Sequence, residues 1–378
     1  MVLVVASATF NAITADAIVS ALPQMTREFG GGADAAFLAQ MLLVTPSLSI
    51  IVGAPLGGIC ARRFGLKPLM LGAIALYATS GAIGLLPLGS MALILSRILL
   101  GFVSGLLGAV CLARAAEFAP DRAARLLGFA NAMAASMAIG AFVLGGLLAR
   151  EFGWRTANLA YLWVLLLVPV VLVSVSPAPV RSGDVDATPR QPFPWLATVP
   201  IYLATLLVFV SVYSSSIEGP FVLLRLGMID PAQIGIAISG AAIACVFVSA
   251  VYGWIARALN DGLQFVVIFA AFFSSACITA WAQSLPVAIC GLALTGIGSG
   301  ILSPLLVSRL MRRVPREHAA TASGLFASAT FVSVFMTPPA YRSIVALGGI
   351  QVFTGLAIIA AIELAATIAL AASGRLPR

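Results

Sequence analysis

The sequence predicts an all-α integral membrane protein: twelve transmembrane helices in two six-helix bundles, related by a pseudo-two-fold axis along the membrane normal. Three observations carry that expectation. The 378 residues are 61% hydrophobic and 9% charged, where a soluble domain carries about 25% charged residues; the mean hydropathy is +1.10. Twelve apolar runs each approach the ~20 residues that a helix needs to cross a bilayer. Landmarks also recur at a nearly fixed offset. Pro23 and Pro220 are 197 apart, as are Gly30 and Gly227; Gly58 and Gly253, Arg62 and Arg257, and Pro120 and Pro315 are 195 apart; Gly128 and Gly324 are 196 apart. An offset held at loops one, two and four implies two parallel repeats with a site at their interface.

Taken in order, the apolar runs are 2–23, 36–59, 68–88, 91–113, 125–148 and 155–176, then 197–222, 233–256, 263–282, 285–307, 319–341 and 348–372. The first run is long and lacks a basic flank, so it is expected as a retained helix and not a cleaved leader. Connections are short, which makes consecutive spans antiparallel neighbours. The exception is 177–196, rich in Pro, Gly and charge, which reads as a cytoplasmic linker. The expected organisation is an N-terminal bundle over 1–176, the linker, and a C-terminal bundle over 197–378.

Lys and Arg set the orientation. With the N-terminus inside, the outer loops hold Arg27, Arg150, Arg155, Arg225 and Arg342, and Arg97 lies in a span. The remaining fifteen of the 21 basic residues are inside. This positive-inside bias places both termini in the cytoplasm and the chain in the cytoplasmic (inner) membrane. The net charge of +8 sits in short loops between apolar runs and does not point to nucleic acid. Cys60, Cys111, Cys245, Cys277 and Cys290 fall in or beside spans with no ligand spacing, and read as small packing residues. No metal or cofactor is implied. The expected partners are a small-molecule substrate, protons and the lipid bilayer, for a chain acting as a monomer.

Asp16 and Arg97 are the most telling residues. A charge at membrane depth costs several kcal/mol, so it persists where it is paired or lines a wet cavity. Asp16 is seven residues before Pro23 and Arg97 seven after Ser90. At about 1.5 Å per residue both sit ~10 Å from the outer helix ends. A proton-sensitive site built on this acid and base is the leading expectation, with Arg97 always charged and Asp16 the proton carrier. Glu218, preceded by Ser214, Ser215 and Ser216, reads as a second acid of the cavity or of an outer vestibule. Glu363, with no partner in view, reads as structural. Asn11, Thr14, Gln40, Asn131, Ser136, Asn158 and Tyr213 can supply cavity hydrogen bonds or act as polar glue between helices. The expected substrate cavity takes Asn11, Thr14, Tyr213, Ser216 and Glu218. Gly296-Ile297-Gly298-Ser299-Gly300 lacks the strand and lysine of a nucleotide loop and reads as close helix packing.

The loop after span two, Gly58-Ile59-Cys60-Ala61-Arg62-Arg63-Phe64-Gly65-Leu66-Lys67, resembles the G-x-L-A-D-R-x-G-R-K signature of the major facilitator superfamily. It departs from it at Arg62, where the family has an acid. Arg97-Ile98-Leu99-Leu100-Gly101 resembles the family's R-x-x-x-G. Ala141-Phe142-Val143-Leu144-Gly145-Gly146 resembles its antiporter motif in the last two glycines, without the Gly-Pro. Asp16 to Pro23, and Gly219 to Leu223 with Asp230 to Gly235, are similar to drug:proton antiporters of the bicyclomycin-resistance (Bcr/CflA) type. The resemblance implies alternating access, with a cytoplasmic gate at Gly58, Arg62, Arg63, Gly65, Lys67, Asp121 and Glu317. With an arginine at the acidic position, a gate with exchanged charges is expected, Glu317 pairing with Arg62 or Arg63; Asp121 and Glu117, nearer in sequence, are the alternative partners.

The function expected is proton-coupled secondary export of small amphipathic compounds. The alternative is proton-coupled import or export of one metabolite. An intramembrane enzyme needs a nucleophile with a base, or a metal cluster. The single histidine, His318, lies in a loop, and there is no HExxH, GxSxG or P-loop. A non-transporting receptor would show no flux.

Overall fold

In a bilayer every backbone N–H and C=O has to be satisfied within the chain, and helices do this segment by segment. The computed structural model accordingly shows only helices and turns among the described residues, which are 14, 16–116, 120–174, 192–315, 318–348 and 351–372. The side chains of 58, 62, 109–135, 174, 319–320, 347–348 and 370–372 lie outside that description. The helices are α1 (Leu22–Glu28), α2 (Gly32–Phe64), α3 (Leu66–Ile83), α4 (Ser90–Ala116), α5 (Pro120–Phe152), a 3₁₀ helix over Trp154–Leu167 running into α6 (Val168–Ser174), then α7 (Trp195–Val212), α8 (Ser214–Ile217), α9 (Gly219–Arg225), α10 (Pro231–Ala258), α11 (Asp261–Ala280), α12 (Leu285–Arg313), α13 (Ala319–Gly348) and α14 (Val352–Ala372). Among the described residues nine stretches are long and apolar enough to cross a membrane. The expected spans five and eleven fall on the continuous helices α5 and α13. The expected span one lies mostly outside the described residues.

Two compact units are distinguished: Met1–Thr188 with Asp230–Gly235, and Pro189–Ile229 with Ile236–Arg378. In the first, α2 lies along α4, and glycines on both helices bring the backbones together. A Cβ on Gly53 would fall 2.0 Å from the Phe102 carbonyl oxygen, one on Gly101 2.2 Å from that of Pro46, and one on Gly105 2.5 Å from that of Ile50. Close backbone approach replaces the hydrophobic drive that lipid removes. In the second unit α11 packs on α12 and α14. There the Gly296–Gly300 run serves as packing: added Cβ atoms would meet the Ala241 carbonyl oxygen at 2.0 Å, the Phe272 ring at 2.6 Å and the Cys245 carbonyl oxygen at 2.8 Å. Hydroxyls inside the helices return their hydrogens to the preceding turn, as Thr45 does to Met41, Ser80 to Leu76 and Thr205 to Ile201.

Expected spans one and seven are both broken. The first passes through a 3₁₀ turn at Val19–Ala21 into α1; the seventh breaks at Tyr213 and at Glu218 before α9. The cause is local. Pro23 and Pro220 sit in the first turn of the helices that follow, where the missing N–H costs nothing, and they prevent those helices from continuing backward unbroken. Serine hydroxyls compete for the freed carbonyls, as Ser214 does for Ser211.

The two broken ends are copies of one another. Helices α1 and α9 have bounds separated by 197 at both ends. Their caps repeat bond for bond: Phe29 N–H to Met25 O, Gly30 to Arg27 and Gly31 to Thr26 in the first, Leu226 to Val222, Gly227 to Leu224 and Met228 to Leu223 in the second. Gly30 and Gly227 hold the left-handed conformation at φ 99° and 93°, which only glycine adopts without strain. The starts of α3 and α11, and of α4 and α12, are each 195 apart.

Candidate functional site

Arg97 is 2% exposed, seven residues after the start of α4 at Ser90. Its guanidinium donates to Asn158 Oδ1 and lies 4.9 Å from the centre of the Tyr161 ring, while Nη1 has no hydrogen-bond partner. Asn158 is fully buried and oriented by backbone: its Nδ2 donates to Gly84 O at 3.2 Å and to Arg155 O at 2.7 Å. Tyr161 packs edge-on against Tyr77, centroids 6.1 Å apart. The Tyr77 hydroxyl shares a 2.7 Å hydrogen bond with Thr14, which also donates to Ser104 at 3.4 Å. The walls are tight: a Cβ on Gly81 would fall 2.3 Å from Tyr161, and one on Gly84 2.4 Å from Asn158.

The 3₁₀ helix is what aligns this socket. With three residues per turn, residues i and i+3 eclipse, so Arg155, Asn158, Tyr161 and Val164 form one row. The last three are buried. Arg155 extends the row outward. Its Nη1 donates to Leu86 O at 2.8 Å and its Nη2 to Glu28 at 2.5 Å, and it lies over the Trp154 ring at 4.5 Å. Trp154 Nε1 donates to the other oxygen of Glu28. Desolvation alone would push the Glu28 carboxyl up; the hydrogen bonds from Trp154 and Arg155 and the Arg155 charge outweigh it and hold it below its ordinary range.

Asp16 is half-buried. The structure thus gathers Thr14 and Arg97 around one tyrosine pair, with Asp16 two residues along the chain from Thr14. Arg97 makes no ion pair with Asp16 within 4 Å; its direct partner is Asn158. Sequence reading counted Asn158 only among the polar residues of the spans and missed Tyr77 and Tyr161. The signal available was an Asn and a Tyr three residues apart in an apolar run.

In the second unit Tyr213 stands at the break between α7 and α8, half-buried beside Phe209. Ser216 is half-buried, as is Glu218; the Tyr341 hydroxyl donates to Val210 O at 2.7 Å. Ser215 donates to Thr295 at 2.9 Å, and Thr295 shares a 2.7 Å bond with Ser275. Beside them Ser211, Ser214, Ser275 and Thr295, with Phe272 and Phe353, line a cavity of about 10 Å³, on the order of one water molecule. Glu363 is half-buried and its Oε2 is unpartnered. Gln40 is buried and Ser136 exposed. Asn11 and the side chain of Asn131 lie outside the described residues.

Of the gate residues, Gly65 (φ 82°) ends α2 and caps α3, Lys67 donates to Leu172 O at 2.7 Å, and Arg63 is exposed with its guanidinium 5.7 Å from the Phe64 ring. Gly58 and Asp121 lie in α2 and α5. Arg62 and Asp121 side chains and all of Glu317 are outside the described residues, so the exchanged gate pair is too. The span-five glycines are contact points within the first unit. A Cβ on Gly145 would fall 2.3 Å from Ala17 O, next to Asp16, and one on Gly146 2.4 Å from Pro231 O. In the second unit Asp261 receives Arg309 and Arg312, each at 2.8 Å, a charge cluster the sequence reading did not single out.

These features sit in a chain whose residues 4–338 match the sequence profile of the Major Facilitator Superfamily. The protein belongs to that family: it is a membrane transporter of small molecules, not an enzyme. Among characterised relatives, the multi-drug resistance efflux pump PmrA of Streptococcus pneumoniae is 24% identical over 312 residues, covering 79% of this chain and 77% of its own. Among solved structures, the peptide transporter POT in complex with alafosfalin superposes with a TM-score of 0.77 at 14% identity, covering 98% of this chain and 94% of that one. A D-xylose-proton symporter gives 0.70 at 15%, covering 96% of each. The chain shares their fold.

Proposed function

We propose that this transporter is a proton-coupled secondary exporter of small amphipathic compounds, working by alternating access, with Asp16 as the proton carrier and Arg97 as its modulator. The observation that carries this reading is the buried, incompletely paired Arg97 in the same unit as the half-buried Asp16. A buried cation without an anion is costly, and an acid that can gain or lose a proton beside it changes that cost in each half-cycle. The efflux direction draws on the name of the Streptococcus pneumoniae relative. The twelve spans in two bundles, with 177–196 as the linker, the cytoplasmic termini, the inner membrane, the monomer, the cavity residues Asn11, Thr14, Tyr213, Ser216 and Glu218, and the gate of Gly58, Arg62, Arg63, Gly65, Lys67, Asp121 and Glu317 belong to the same proposal.

The test is flux in proteoliposomes under an imposed pH gradient, over a panel of antimicrobials and metabolites. Asp16→Asn keeps the shape and removes the titrating group; it is expected to abolish gradient-driven flux in a protein that still inserts. Unchanged flux would remove Asp16 from the mechanism. The second reading is proton-coupled import or export of one metabolite; saturable flux of a single compound in the panel would select it.

A further inference from the structure

We propose that Asn158 is a positioning residue: an uncharged seat that holds Arg97 while Asp16 carries a proton and yields it when Asp16 is ionised. The inference rests on the proton-coupled reading above. Both amide hydrogens of Asn158 are committed to backbone carbonyls, those of Gly84 and Arg155. Its Oδ1 therefore faces the guanidinium in one orientation only. The seat cannot drift, because Gly84 leaves no free space on one side and the 3₁₀ row fixes the backbone on the other.

The chemistry of an amide suits this task. It satisfies one N–H of Arg97 as a dipole and leaves the charge uncompensated, with Nη1 still unpartnered at 2% exposure. Burying a cation on such terms costs several kcal/mol, so the guanidinium is held but not satisfied. A carboxylate in the same place would neutralise Arg97 permanently and would have no hydrogens for the two carbonyls.

The charged and titratable groups set around Arg97 are few. They are Tyr161 from the 3₁₀ helix and, packed on it, Tyr77 from α3, with Arg155 and Glu28 further out along the row and Asp16 two residues beyond the Thr14 that bonds Tyr77. Neither α2 nor α5 brings an acid within 4 Å of it among the described residues. Asp16, two residues beyond the Thr14 that reaches Tyr77, is the acid that the proposal assigns to the free nitrogen.

The experiment reads the proton on Asp16 directly. Purified protein is treated with dicyclohexylcarbodiimide, which modifies protonated buried carboxyls, over a pH series; peptide mass mapping resolves Asp16 from Glu218 and Glu363. Asn158→Asp supplies Arg97 with a fixed counter-charge, so Asp16 should keep its proton longer. Its labelling midpoint is expected to move up by about one pH unit, the usual size of a lost neighbouring charge. Asn158→Leu removes the seat and frees Arg97 for Asp16, so the midpoint is expected to move down. If the leucine variant does not insert, Asn158→Ser carries the same downward expectation, since its hydroxyl can serve only one carbonyl. Opposite shifts support the proposal. Shifts of the same sign, or an unmoved midpoint in Asn158→Asp, would overturn it, since a merely structural residue would not split the two variants. If the shifts are opposite while Asp16→Asn still carries gradient-driven flux, the positioning role stands and the proton-coupled reading fails.

Discussion

Arg97 shows how one residue sets the requirements of its surroundings. It is buried among apolar side chains, and a guanidinium does not shed its charge there. The fold supplies a ring and an amide oxygen, and Asp16 is the acid proposed to complete them. Removing the cation should let Asp16 keep its proton to higher pH. Arg97→Ala is expected to move the pH optimum of transport up by about one unit, and Arg97→Lys by less, since a point charge cannot hold both the Asn158 oxygen and the tyrosine face. A pH profile in Arg97→Ala that overlays the parent would separate the two residues. Asp16 and Arg97 were legible in the sequence because a charge inside an apolar run stands out. The socket was not. Asn158, Tyr161 and Tyr77 are amphipathic residues of ordinary membrane-helix composition. Their alignment depends on a three-residue period that an α-helical reading of 155–176 spreads over different faces.

At the scale of the element, helix contacts and caps carry the weight. The contact of α2 with α4 depends on bare backbone at Gly101. Gly101→Ala puts a methyl 2.2 Å from Pro46 O, backbone against backbone, and is expected to cost about 1–3 kcal/mol in unfolding in mixed micelles. Gly72→Ala, in the interior of α3 with nothing within 4 Å, should be neutral or stabilising by up to about 1 kcal/mol. Equal effects would refute the packing role. The clamp of Glu28 on Trp154 and Arg155 joins the end of α1 to the start of the 3₁₀ helix. Its carboxyl is held below the ordinary range, so its contribution is present above about pH 4.3, the unperturbed glutamate value, and is lost only as pH falls through the lower folded value. Because Glu28 is 46% exposed, Glu28→Gln should cost under about 1 kcal/mol at pH 7 and nothing further near pH 3. A cost that grew as pH fell would contradict that sign. The runs themselves were legible from hydropathy. The breaks in runs one and seven were not, since hydropathy is blind to a proline in the first turn of a helix and to serines that divert carbonyls.

At the scale of the whole chain, the duplication seen as a 195–197 offset reappears as geometry. The same three-bond cap closes α1 at Gly30 and α9 at Gly227, with φ 99° and 93°. What the offset could not convey is that its two values mark different things. The 197 register belongs to the broken helix ends; the 195 register belongs to the starts of α3 and α11 and of α4 and α12, because α10 has 28 residues where α2 has 33, and the slightly longer connections on either side of α10 restore only part of the difference. If the two caps are one device used twice, they should respond alike. Gly30→Ala and Gly227→Ala each force a Cβ into the left-handed region, at about 1–2 kcal/mol. Neither meets a neighbour within 4 Å, so the cost is conformational and not steric. Each single variant should therefore lose about the same stability in mixed-micelle unfolding. The double variant should lose the sum to within about 0.5 kcal/mol, as for independent sites. A loss confined to one of the two would mean that the caps share a sequence ancestry but no longer the same strain. A double variant far from the sum would mean that the two ends are energetically coupled.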